Sequence, residues 1–158
     1  MPIPLEEKTK NALMWIVNIL NKYEIPFQIS GGFAAKLYGS ARPLNDIDID
    51  IPKDKFKKII NDMQEYIVYG PEDYKDKKWD LYLMTLNYCG QEIDIGSADV
   101  KIYDSGSEAW LSFTTHFDQS VWKEVAGIKV PVMPKNELIS YKKYLDGEHQ
   151  RVDIKALS

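Results

Sequence analysis

One cysteine, Cys89, and two histidines, His116 and His149, are all the thiol and imidazole metal ligands that 158 residues contain. A lone cysteine makes no internal disulfide and fits a reducing compartment. No Cys/His spacing of a zinc site is present. A P-loop and a serine-nucleophile elbow are also absent. No apolar run approaches the roughly 20 residues of a membrane span, and Met1 to Glu7 lack the basic-then-apolar layout of a signal peptide. The expectation is a cytoplasmic chain without a membrane partner. Positive charge is short as well. Twenty Lys and Arg face 24 Asp and Glu, for a formal net charge of −4, which argues against general binding to nucleic-acid backbone.

What remains is an ordinary globular composition, 44% hydrophobic and 28% charged, long enough to bury a core. No repeat or linker divides it, so residues 1–158 read as one domain. Leu13, Ile16, Val17 and Leu20 recur at helical spacing within Leu5–Tyr23, with Pro4 placed to start the helix. Phe27 to Ile29 reads as a strand, Gly31 to Tyr38 as a helix capped by Ser30 and ended by Gly39. Asn45 to Ile51 is a strand, and residues 54–66 an amphipathic helix. Ile67–Tyr69 is a short strand. Gly70–Asp80 and Gly96–Glu108 read as polar loops. Hairpins are expected at Leu81–Tyr88 with Glu92–Ile95, and at Val121–Val125 with Ile128–Val132. Helices close the chain, from Pro134 to Leu145 and from His149 to Leu157. The order predicts an α/β (α+β) fold, a mixed sheet flanked by helices.

The distinctive stretch is Gly31-Gly32 followed by Asp46-Ile47-Asp48-Ile49-Asp50. Glycines opening a helix offer backbone N–H groups to phosphate. Alternate strand residues share a face, so the aspartates point one way and the isoleucines the other. Aspartates at i and i+2 stand roughly 6.5 Å apart and repel by about 2.5 kcal/mol at an effective dielectric near 20. Such repulsion suits a place that cations visit. Asp94, in Glu92-Ile93-Asp94-Ile95, has the same alternation and joins Asp46 and Asp48 if the strands are neighbours. Three converging carboxylates suit two hard divalent ions that clamp a phosphoryl transfer, with Asp94 able to take a proton. Asp50 is read as a surface residue. The competing account makes all of these the solvent face of a half-buried strand.

Gly31-Gly32, Arg42, Asn45-Asp46-Ile47-Asp48-Ile49 and Glu92-Ile93-Asp94 together resemble the signature of the nucleotidyltransferase (polymerase beta-like) superfamily. The closing segment, Val130-Pro131-Val132-Met133-Pro134, Glu137-Leu138, Lys142-Lys143 and Arg151 to Leu157, is most similar to the small lincosamide and abortive-infection-type members. The likeness runs from Gly31 to Leu157. It implies a nucleotidyltransferase-like fold in which Asp46, Asp48 and Asp94 bind Mg²⁺, two ions in all, and act in catalysis. It also implies that Gly31 and Gly32, with Ser30, hold the phosphates of an NTP such as ATP. The second glycine is often serine in the superfamily; here it is Gly32.

Arg42 either reaches a phosphate or pairs with a nearby carboxylate. Lys142, Lys143, Arg151 and Lys155 are the C-terminal cations, of which Lys142 and Arg151 are the candidates for the triphosphate; a solvated helix face is the alternative. In the resembling families Asp153 belongs to the closing motif and orients basic groups, whereas an ordinary helix salt bridge also accounts for it. His116 and His149 read as structural or exposed, and Cys89 has no activating neighbour. Trp79, Trp110, Trp122, Tyr74, Tyr82 and Tyr103 offer stacking surfaces or core. The expected activity is metal-dependent transfer of a nucleoside monophosphate to a hydroxyl or amine. The acceptor is a small molecule such as an antibiotic, or a macromolecule. The rival is a non-catalytic binding module of the same fold, antitoxin-like, and a homodimer is left open.

Overall fold

Period-2 alternation dominates the centre of the chain. In the computed structural model, which describes residues 5–145 and 147–158, β2 (Asp46–Ile51) buries Ile47, Ile49 and Ile51 and leaves its three aspartates partly exposed. β5 (Gln91–Ser97) lies parallel to it, with Asp46 opposite Glu92 and Asp48 opposite Asp94, and buries Ile93 and Ile95 on the same side. Each buried isoleucine contributes about 1.5–3 kcal/mol. The strand therefore holds its place despite a comparable repulsion between neighbouring aspartates.

The apolar face is covered by α1 (Glu7–Lys22), through Leu13, Ile16, Val17 and Leu20, and by α3 (Phe56–Met63), through Phe56, Ile59 and Met63. The helix start expected at Pro4 lies outside the described residues. A polar link fixes the register where the acidic strands begin. Thr9 Oγ1 donates to Gln91 Oε1 at 2.6 Å, and Gln91 Nε2 donates to the Asn45 carbonyl at 3.0 Å.

Among the described residues nine strands form one mixed sheet. β1 (Gln28–Ile29) runs antiparallel to β2 and parallel to β9 (Ile128–Val132), whose other edge pairs with β8 (Val121–Val125). On the far side β4 (Trp79–Tyr88) pairs with β5, with β3 (Ile67–Lys75) and with β6 (Asp99–Asp104), and β7 (Ala109–Thr114) follows β6. Between β1 and β2 comes α2 (Gly31–Leu37); α4 (Lys135–Lys142) and α5 (Glu148–Leu157) close the chain. The expected mixed α/β architecture is what forms. Among the described residues no helix is long and apolar enough to cross a membrane.

Two segments expected as loops are strands. Gly70–Asp80 continues β3 to Lys75 and begins β4 at Trp79. Its Gly-Pro pair sits at register shifts in the β3–β4 ladder rather than ending it. Gly70 has φ +74° there, and an added Cβ would overlap the Leu83 carbonyl oxygen, so only glycine fits. Gly96–Glu108 holds the end of β5, a bend at Ala98, β6 and a turn, and β7 follows where no strand is expected. These strands carry Glu72, Asp73, Lys75, Asp99 and Lys101 on partly open faces, which breaks the apolar alternation by which strands are read. The helix after Pro134 ends at Lys142 rather than Leu145.

Candidate active site

The side of β2 and β5 away from α1 is open and floors a cavity of about 820 Å³. Parallel register sets Asp46, Asp48 and Asp50 beside Glu92, Asp94 and Gly96. One carboxylate oxygen each of Asp46, Glu92 and Asp94 lies within 4.8 Å of the others. Thr85 Oγ1, across on β4, donates to Asp94 Oδ1 at 2.8 Å and fixes that carboxylate.

Glycine brings the α2 turn against this floor. Gly31 has φ +58°, and a Cβ there would overlap Asp48 Oδ2. Gly32 N–H donates to that same oxygen at 3.0 Å, and Gly31 N–H donates to Tyr141 Oη at 2.8 Å. Both amides of the turn are thus engaged by protein groups. Ser30 takes the N-cap position without a capping hydrogen bond; its Oγ donates instead to Asp50 Oδ1 at 3.0 Å. Thr115 Oγ1 donates to Asp50 Oδ2 at 2.8 Å. Asp50, expected at the surface, is a floor residue of the cavity held by two hydroxyls. The third aspartate of the alternation stays on the cavity face, and the chain after β7 crosses above it.

Crowding and burial disfavour charge on this floor. Burial, followed by the hydrogen bond and charge of Glu92, pushes Asp46 up to about 6. Burial and then the charges of Asp94 and Asp46 push Asp48 up to about 8. Burial raises Asp94, with the Asp46 charge adding to it. Burial likewise raises Asp50 to about 6 against the hydrogen bonds of Thr115 and Ser30.

Cationic groups stand on the other flank. Asp153, on α5, is fully buried and accepts from Ser40 Oγ at 2.7 Å, Arg42 Nε at 3.1 Å, Arg42 Nη2 at 2.7 Å and Lys142 Nζ at 3.0 Å. Burial alone would raise its pKa; these donors, Arg42 foremost, bring it down to about 2. Burial pushes the Lys142 ammonium down, and Asp153 opposes that. Arg42 and Lys142 both line the cavity. Arg42 is therefore carboxylate-paired and cavity-facing at once, so the two readings of it do not compete. Arg151 is brought to neither. It lies on the outer surface of α5, pairs with Glu148 at 3.1 Å, and is absent from the cavity wall. It stands two positions before Asp153, which turns it about 200° around the helix.

Sequence reasoning passed over Glu92 as a ligand, although it shares the alternation of Asp94. It also passed over Tyr141, Thr115, Ser40 and the His116–Glu137 pair, whose neighbours are set by distant segments. His116 Nδ1 contacts Glu137 Oε1 on the cavity wall, and Glu137 Oε2 is buried with no hydrogen-bond partner among the described residues. Cys89 is exposed in the β4–β5 turn, away from the cavity.

Three clustered carboxylates with no sulfur or imidazole among them are the donor set of a hard divalent ion. The residues fit such an ion.

Residues 12–157 match the family model of aminoglycoside-2''-adenylyltransferase. The chain belongs to that family. It is a nucleotidyltransferase by that membership, as the glycine and aspartate motifs imply. Among curated proteins none matches its sequence. Among solved structures, a Thermotoga maritima protein assigned as a nucleotidyltransferase is 17% identical. It aligns over 89% of this chain and 86% of its own, with a TM-score of 0.71. The lincosamide antibiotic adenylyltransferase LnuA, solved with lincomycin bound, is 18% identical over 92% and 93%, with a TM-score of 0.60. The antibiotic-resistance factor ANT(2'')-Ia is 17% identical over 96% and 84%, also at 0.60. At these identities the structural likeness carries the fold, and the adenylyltransferase family model carries the membership.

Proposed function

We propose that this nucleotidyltransferase moves a nucleoside monophosphate from an NTP to a hydroxyl or amine of a small molecule and releases pyrophosphate. The observation that carries the reading is the side-by-side register of the β2 and β5 carboxylates, facing the glycine turn, Arg42 and Lys142 across one cavity. Asp46, Asp48 and Asp94, with Glu92 beside them, would hold Mg²⁺, which neutralises phosphate charge and orients the reacting oxygens. Arg42 and Lys142 offset the remaining triphosphate charge and hold the chain in line. Thr85 occupies Asp94 Oδ1, leaving Oδ2 to take the proton of the attacking hydroxyl or amine.

The rest of the cavity suits the acceptor. Trp79, Phe113 and Tyr141 give it aromatic walls, Asp50 is held by hydroxyls alone, and Glu137, paired with His116 through Oε1, keeps Oε2 without a hydrogen-bond partner among the described residues. That combination favours a small molecule carrying an amine, of an antibiotic-like kind, over a polyanion. A binding module without turnover would gain nothing from carboxylates that repel one another. The test is calorimetric. Asp46→Ala and Asp48→Ala should each abolish Mg²⁺-dependent binding of a nonhydrolysable NTP while the protein melts cooperatively. Undiminished binding in both variants would refute the assignment.

A further inference from the structure

Neither amide of the glycine turn is left for a ligand. Gly32 N–H is committed to Asp48 Oδ2, and Gly31 N–H to Tyr141 Oη. A phenol accepts through a lone pair and donates through its own proton. The bond from Gly31 is the one hydrogen bond the Tyr141 hydroxyl makes among the described residues, so its proton has no acceptor among them. We propose that the Tyr141 hydroxyl, oriented by Gly31 N–H, donates to the polyphosphate of the nucleotide, extending the reach of the glycine turn into the cavity. This rests on the nucleotidyl-transfer reading above.

Placement supports the role. Tyr141 lines the cavity on the last turn of α4, directly before Lys142. Its ring is set edge-on between Trp79 and Phe113, each with centroids 6.5 Å away, so the hydroxyl has one direction to point. Lys142 and Arg42, tied to Asp153, bring positive charge to the same wall. Burial, with Asp50 and Asp48 nearby, raises the phenol well above its usual range, so it stays a neutral donor. The alternative is a plug: the hydroxyl occupies Gly31 N–H until a phosphate displaces it. The two accounts predict opposite effects when the hydroxyl is removed.

Isothermal titration calorimetry with Mg²⁺ decides between them. The probes are AMP, CMP, GMP and UMP with their α,β-methylene triphosphates, starting from the base that wild type binds best. Tyr141→Phe should weaken the triphosphate analogue roughly tenfold or more, as for a lost hydrogen bond to a charged group. It should weaken the monophosphate by less than about twofold, since that ligand lacks the polyphosphate tail. Unchanged or tighter triphosphate binding overturns the proposal, and so does equal loss for both ligands, the mark of a structural role. Wild type that binds none of the triphosphates overturns the nucleotidyl-transfer reading and this proposal with it. Should Tyr141→Phe fail to melt cooperatively, NMR on wild type with ¹³Cζ-labelled tyrosine replaces it. Inorganic pyrophosphate with Mg²⁺ should then shift the Tyr141 Cζ resonance, and an unmoved resonance contradicts the proposal.

Discussion

Gly32 and Arg42 occupy one space. A Cβ on Gly32 would overlap Arg42 Nη2, the nitrogen that donates to Asp153 Oδ2 at 2.7 Å. The glycine at this position thus admits a guanidinium beneath the α2 turn, where a serine side chain would displace it. Gly32→Ala should lower stability by about 1–3 kcal/mol, the usual cost of overpacking, and weaken NTP binding. In an Arg42→Ala background the same change should cost much less stability. A double-mutant cycle by urea denaturation measures that coupling; additive effects would show that the two side chains do not share the space.

Asp153 neutralises a buried cation, Lys142, and a half-buried one, Arg42, so its loss should be severe. Asp153→Asn is expected to cost about 3–5 kcal/mol, because Arg42 and Lys142 are then left unpaired. The pH dependence has a definite sign. Its pKa falls from 3.8 to about 2 on folding, so the contribution is present above pH 4 and lost as pH falls through 2. The size of that contribution is roughly 2 kcal/mol. Acid titration of thermal stability should be steeper between pH 4 and 2 in wild type than in Asp153→Asn.

The acidic floor behaves in the opposite way. Asp46 and Asp48 titrate at about 6 and about 8 in the folded protein, both above 3.8. Their protonated forms favour folding below pH 4, and that benefit disappears as pH rises through 6 and then 8. With EDTA present, Tm should therefore fall from pH 5 to 8.5, and Mg²⁺ should restore it. Asp48→Asn should flatten the EDTA curve and raise Tm at pH 8.5, while losing most of the Mg²⁺ effect. Scanning calorimetry at both pH values checks this.

Glu92 adds a fourth carboxylate, and Glu92→Gln separates its charge from its shape. Mn²⁺ affinity followed by electron paramagnetic resonance should drop roughly tenfold, in line with the dependence of hard-ion sites on ligand charge. Its exposed position at the β5 edge of the cluster should leave Tm nearly unchanged. Full Mn²⁺ affinity in the variant would remove Glu92 from the site.

Local pattern was enough where one face of an element is dry. The alternation in β2 separates Ile47, Ile49 and Ile51 from Asp46, Asp48 and Asp50, and the Gly31-Gly32 turn carries its own punctuation. The meeting of Asp94 with Asp48 required only that β5 be the neighbour of β2, as it is. Contacts made by distant segments left no local trace. Asp50 needs Thr115, 65 residues away, to become a floor residue, and Gly31 needs Tyr141, 110 residues away. Arg151 is the reverse case: a basic residue near a motif, turned outward by the helix that carries it. The continuation of β3 past Tyr69, and strands β6 and β7, stayed hidden because their faces are partly wet, so hydrophobic period does not mark them.

Anomalous diffraction from crystals soaked with Mn²⁺ and a nonhydrolysable NTP tests the central claim most directly. The account predicts manganese peaks against Asp46, Asp48 and Asp94, with the nucleotide phosphates lying between those ions and Arg42. Manganese absent from the three carboxylates, or a nucleotide bound outside the cavity, would contradict it.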